Sequence, residues 1–236
     1  MAGVINPELI LANNGVEVQA NPLDARLETG NVEGQALSHR FGDFPATSGL
    51  ALCFILVFAV MWQRRIRPDV VTVSYRQIVL GFELWRVVTS AFSHLDFLHL
   101  SFNITSLWAL REVEAKMGSV GYLLASAHIL VMTEAITLSV YHFLIKKGNR
   151  MLIDQPALGY SGVIFGLTTI KALEPGAVPQ AYPGGIVFSG PMAVLASLVV
   201  TRLLIRRSSF AAHLGGIFAG AFVASGALDF ARQTYW

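Results

Sequence analysis

Apolar residues in this chain gather into six long runs separated by short polar punctuation. The runs cover residues 44–62, 94–110, 119–145, 157–173, 186–205 and 208–228. At about 1.5 Å of rise per residue, each is long enough as a helix to cover most of a bilayer's ~30 Å hydrocarbon core. Arg64, Arg65 and Arg67 close the first run, Lys146, Lys147 and Arg150 the third, and Arg206 and Arg207 the fifth. Residues 63–92 are too polar to span and too long for a tight turn, so they are expected to lie along the headgroups. Residues 174–185 hold three prolines and three glycines and read as a loop. Pro191 falls inside the fifth run, where neighbouring helices would compensate its missing hydrogen bond. The pattern predicts an all-α polytopic membrane protein. A six-transmembrane-helix core over 44–228 is flanked by a polar tail, 1–43, and a short stub, 229–236.

Composition strengthens that picture. The chain is 54% hydrophobic and only 14% charged, with a mean hydropathy of +0.56, whereas a soluble domain carries about 25% charged residues. A formal net charge of +2 gives no argument for nucleic acid. The single cysteine, Cys53, permits no intrachain disulfide and is expected to serve packing in the first span. The tail has six acidic residues beside Arg26 and Arg40. It reads as mostly disordered, and as neither a cleaved signal peptide nor an arginine-rich mitochondrial presequence.

Polar side chains inside apolar runs are expensive and are functional candidates by default. With six spans, His94 and His99 near the start of the second, Ser161 at the start of the fourth and His213 near the start of the sixth all belong to one membrane face, opposite the N-terminus. They converge a few ångströms below one surface. His99 and Asn103, four apart, share a helix face and can donate hydrogen bonds toward one point. Ser161 opens a helix, where free backbone N–H groups and the helix dipole favour negative charge. Ser161 and His213 together make a nucleophile and its base. No orienting carboxylate is evident: Asp96 lies toward a loop and Asp229 at the far end of the sixth span, so a dyad is the better reading. Gly162 and Gly166, and Gly216 and Gly220, form small-xxx-small pairs that let the fourth and sixth spans approach closely. Phe165 either stacks on the His213 ring or faces lipid. Trp85 serves equally as an aromatic-belt anchor, and Arg86 as a headgroup contact. Glu114, His128, Glu134 and His142 show no metal-ligand spacing, so neither metal nor cofactor is expected.

These residues resemble the rhomboid family of intramembrane serine proteases. Trp85-Arg86, followed by Thr89 and His94, is similar to the family's first-loop motif. His94, His99 and Asn103 match its second-helix pattern, and Glu112-Val113-Glu114 fits the end of that helix. Gly159-Tyr160-Ser161-Gly162 matches GxSG, and Ala212-His213 followed by Gly216 and Gly220 matches the sixth helix. The resemblance covers residues 44–228. It implies a serine endopeptidase with Ser161 as nucleophile and His213 as general base. His99, Asn103 and the Ser161 N–H would form the oxyanion site beside Gly159. Phe165 stands where the family often has a tyrosine. His94, Trp85, Arg86, Gly162, Gly216 and Gly220 take structural roles. The implied partners are the bilayer and single-span membrane-protein substrates, cut in or near their transmembrane segments.

The motif wording points to the endomembrane system, ER or Golgi. Of 17 Lys and Arg, 6 fall on the N-terminal face and 11 on the active-site face. That count would turn the site toward the cytoplasm, against the family arrangement, which is the one expected here. The alternative is a catalytically inactive, derlin-type relative that grips membrane clients. Such relatives usually lack the serine or the histidine, and both are present. A transporter would need polar residues through the whole bilayer depth, and an internal repeat; neither is seen.

Overall fold

The computed structural model describes residues 41–182, 185–205 and 208–226. The structure is built from helices: α1 (Pro45–Arg64), α2 (Pro68–Val71), α3 (Arg86–Phe92), α4 (Phe97–Ala109), α5 (Arg111–Lys146), α6 (Ser161–Leu173), α7 (Gly190–Leu204) and α8 (Phe210–Ala224). A π-helical turn, Arg76–Leu80, lies between α2 and α3, and a hairpin of β1 (Gln180–Tyr182) and β2 (Ile186–Phe188) between α6 and α7. Among the described residues two helices, α1 and α5, are long and apolar enough by length and composition to cross a bilayer.

Pro45 sits in the first turn of α1, where a missing N–H costs nothing. The next two amides, Ala46 and Thr47, donate to the buried Glu114 carboxylate at 2.8 Å each. Ser119 Oγ donates to the same carboxylate at 2.7 Å. Glu114 therefore caps α1 from another helix, with its negative charge at the positive end of the α1 dipole. Leu52, Ile55, Leu56 and Val60 point outward from α1, as lipid-facing residues do. Cys53 is exposed on the same helix. That corrects its expected place in packing: it falls on the outward side of a helix whose buried stripe runs through Leu50, Phe54 and Met61.

Three of the expected spans begin elsewhere. The second was expected to include His94, but α4 starts at Phe97 because Asp96 caps it, accepting from His99 N at 2.8 Å. His94 is left just ahead of the helix. The fourth was expected from Ala157, but α6 starts at Ser161. Ala157 is extended and exchanges two backbone hydrogen bonds with Val73, at 2.8 and 2.9 Å. At 13 residues α6 is about 20 Å long, short of a bilayer core. The fifth was expected from Ile186 with Pro191 inside it. Instead Ile186–Phe188 is a strand and α7 starts at Gly190. Pro191 thus occupies the first turn and breaks nothing. The third run agrees with the structure: Gly118, at φ 70° and ψ 158°, interrupts α5 just before residue 119.

Residues 63–92, expected as an interfacial loop, fold into α2, the π turn and α3. Arg86 is the clamp of this segment. Its Nη1 donates to the carbonyls of Asp69 (3.2 Å), Val70 (2.6 Å) and Thr72 (3.1 Å), and its Nε to Glu83 at 2.5 Å. With its side chain 11% exposed, Arg86 is a structural tie and not a headgroup contact. Trp85 is exposed beneath the guanidinium, 4.6 Å from ring centroid to Cζ. The segment is also tied to the α5–α6 connection by Arg76 and Asp154. The hydrogen bond from Arg76 holds the Asp154 carboxyl below its ordinary range. Residues 41–43 of the tail form a 3-10 turn. The rest of the tail, the 229–236 stub with Asp229, and Arg206 and Arg207 lie outside the described residues.

Candidate active site

The site begins at the start of α6. Gly159 is at φ 102°, a left-handed conformation natural to glycine. A Cβ there would sit 2.6 Å from His99 Cε1 and 2.7 Å from Nε2, so that edge of the histidine ring abuts the glycine. Gly159 N donates to the Ser90 carbonyl at 2.8 Å, which holds the extended strand leading into the helix. Tyr160 is buried behind it, its ring 5.0 Å from that of Phe54. Ser161 is the first helical residue. No side chain caps α6, whereas Asp96 caps α4 and Ser209 caps α8. The first intrahelical bond runs from Ile164 N to the Tyr160 carbonyl. The amides of Ser161, Gly162 and Val163 precede it, and the positive end of the α6 dipole is left for a ligand.

Helix α8 lies against α6 at glycine spacing. A methyl group on Gly216 would overlap the Gly162 carbonyl, and one on Gly220 the Gly166 carbonyl. Such close approach lets two short reaches meet. His213 Nε2 lies 2.9 Å from Ser161 Oγ. In the tautomer protonated on Nδ1, Nε2 accepts the serine proton. His213 is 1% exposed, while Ser161 is partly open. Phe165 is buried, its ring 4.5 Å from the imidazole at 30°. Of the two readings open for Phe165, stacking is the one observed. Among the described residues no carboxylate hydrogen-bonds to His213, and the Phe165 ring packs against its imidazole.

His99 and Asn103 project from α4 toward the same space. Asn103 is buried and donates from Nδ2 to its own helix, to the His99 carbonyl at 2.8 Å. A second Nδ2 N–H remains available. His94, 1% exposed, lies between Phe54 (5.1 Å) and His99 (5.2 Å), tilted to the first ring and edge-on to the second. Its two ring nitrogens have no partner among the described residues. Its visible role is to buttress His99 by ring contact.

Two cavities meet at Ser161. One, of about 520 Å³, is lined by His99, Asn103, Ser161, Phe165 and His213 with residues of α7. The other, of about 690 Å³, is lined by Ser90, His99, Gly159, Ser161, Glu134 and Ser209 among others. Glu134 was expected only as a weak metal candidate. Its place in this cavity was not legible, because nothing in an isolated α5 tells which side of the helix meets α6. Trp85 is not among the residues lining either cavity.

Comparison with known proteins agrees with this arrangement at the level of family. The Rhomboid domain model matches residues 81–230. Rhomboid-like protein 14, mitochondrial, of Arabidopsis thaliana is 30% identical over 141 residues, covering 58% of this chain and 42% of the relative. Rhomboid-related protein 4 of Homo sapiens is 31% identical over 152 residues, covering 61% and 46%. Rhomboid protein 1, mitochondrial, of Saccharomyces cerevisiae is 33% identical over 139 residues, covering 57% and 39%. The chain spans less than half the length of each of these relatives. Two of them bear mitochondrial names, so the ER or Golgi placement expected from motif wording finds no support among them. The matched region runs from the loop clamped by Arg86 through the paired glycines of α6 and α8, well over half of the sequence, and on that ground this membrane-embedded chain belongs to the rhomboid family.

Proposed function

We propose that the chain is an intramembrane serine endopeptidase that cleaves single-span membrane proteins in or near their transmembrane segments. The observation that carries this reading is the 2.9 Å approach of His213 Nε2 to Ser161 Oγ at the uncapped start of α6. Ser161 Oγ attacks the scissile carbonyl as His213 takes its proton. The tetrahedral oxyanion forms against the α6 N-terminus, with His99 and Asn103 as side-chain donors. His213 then returns the proton to the leaving amine, and a water admitted through the partly open site hydrolyses the acyl-enzyme. Substrate must unwind to present a peptide bond, so helix-breaking residues near the cut favour cleavage. In this reading all six long helices cross the bilayer, with α6 short because its start is sunk below the surface.

A fluorophosphonate tests the nucleophile directly. It is expected to modify Ser161 in the wild-type chain, with the adduct mapped by mass spectrometry, and to leave Ser161→Ala unlabelled. Equal labelling of both would overturn the assignment. His99→Ala and Asn103→Ala are each expected to lower kcat by about 10²–10³-fold, the usual loss for one oxyanion donor. Wild-type kcat in either variant would remove that residue from the site.

A further inference from the structure

Glu134 is a carboxylate the mechanism does not use. It projects from the middle of α5, a helix long and apolar enough to span. It is half-buried and lines the 690 Å³ cavity together with Ser161. The adjacent Thr133 locates it relative to the nucleophile. A Cβ on Gly162 would lie 2.8 Å from Thr133 Cγ2, so this turn of α5 packs directly on the start of α6. Thr137, one turn on, donates to the Ala211 carbonyl at 3.4 Å, at the level of His213.

Three carboxylates line this cavity, and two are already engaged. Asp69 is paired with Arg67 at 3.0 Å. Asp96 accepts from His99 N at the head of α4. Among the described residues nothing donates a hydrogen bond to Glu134, and no described lysine or arginine lines the cavity. A carboxylate with no donor among those residues is costly to ionise inside a partly enclosed cavity, and a cation brought in by a ligand would offset that cost.

We infer that Glu134 is a specificity-determining residue. It receives a lysine or arginine side chain of the substrate lying within a few residues of the bond that Ser161 cuts. A cavity of this size takes roughly three residues of extended chain at about 3.3 Å each, so the cationic side chain belongs to the same unwound stretch as the scissile bond. Pairing inside a partly enclosed cavity is stronger than at a surface, and it satisfies both charges at once. The inference rests on the protease reading and adds a substrate class to it.

The test uses the full-length chain in liposomes with a set of single-span substrates. The substrates are identical except for alanine, arginine or glutamate at each position flanking the cut. Wild type is expected to show a position where arginine is preferred over alanine by about tenfold in kcat/KM, a modest yield for one charge pair. Glu134→Gln is expected to bring that ratio to about one. Glu134→Lys is expected to reverse it in favour of glutamate. Fluorophosphonate labelling of Ser161 in both variants checks that the dyad is intact. No arginine preference in wild type, or a preference that survives Glu134→Gln, would overturn the inference while leaving the protease reading standing. A wild-type chain that neither labels nor cleaves would overturn both.

Discussion

Ser161→Ala and His213→Ala are each expected to bring cleavage of a co-expressed single-span substrate to background, a loss of about 10⁴-fold or more, with the protein still present in the membrane fraction. Nucleophile and base act as a unit, so removing one forfeits nearly all that both supply. Alanine at 161 removes only Oγ, and the α6 start is held by backbone bonds of Gly159 and Ala157 that it does not touch. Alanine at 213 leaves Ser161 without the Nε2 partner at 2.9 Å. The double variant is expected to be no worse than either single one. Immunoblots of substrate fragments give the readout. A Ser161→Ala chain that still cuts would end the mechanism, and a His213→Ala chain at wild-type rate would assign the base elsewhere.

Gly216→Ala is expected to damage both stability and catalysis. The added methyl meets the Gly162 carbonyl, which is backbone and cannot swing aside. Overpacking of this kind costs about 1–3 kcal/mol, and the strain is relieved by moving α8 away from α6. Ser161 is the residue before Gly162, and His213 lies one helical turn before Gly216. Separation of the two helices therefore opens the dyad directly. A misplacement of about 1 Å can cost on the order of 10²-fold in rate. Melting in detergent micelles, read beside kcat, checks both effects. Gly49→Ala is the control: it lies in α1 with nothing within 4 Å of the new methyl, and helix propensity makes it neutral to slightly stabilising. Wild-type melting and kcat in Gly216→Ala would show that the close approach is dispensable.

The site was legible in the sequence because its residues break a local rule. Ser161, His213, His99 and Asn103 are polar in apolar runs, and the parity of the six expected spans placed them on one face. The glycine spacing on α6 and α8 also carried over to the structure, since the i,i+4 period survives any detail of helix ends. What hydropathy could not show was where helices start. Ala157 and Ile186 are as apolar as helix residues, but backbone pairing with Val73 and with β1 decides their conformation. Pro191 was misplaced for the same reason. The functions of Glu114 and Arg86 depend on partners 67 and 16 residues away in sequence, at Thr47 and Val70, and spacing alone carries no trace of such pairings.

The exchange of hydrogen bonds between Val73 and Ala157 bears on when Ser161 and His213 can come together. The strand that sets the first turn of α6 is anchored to a segment more than eighty residues earlier, and the base arrives on a helix made some fifty residues later. A nascent chain carries its serine well before it carries a partner for it. Under the proposed function, Ser161 therefore lacks its base until α8 has docked against α6.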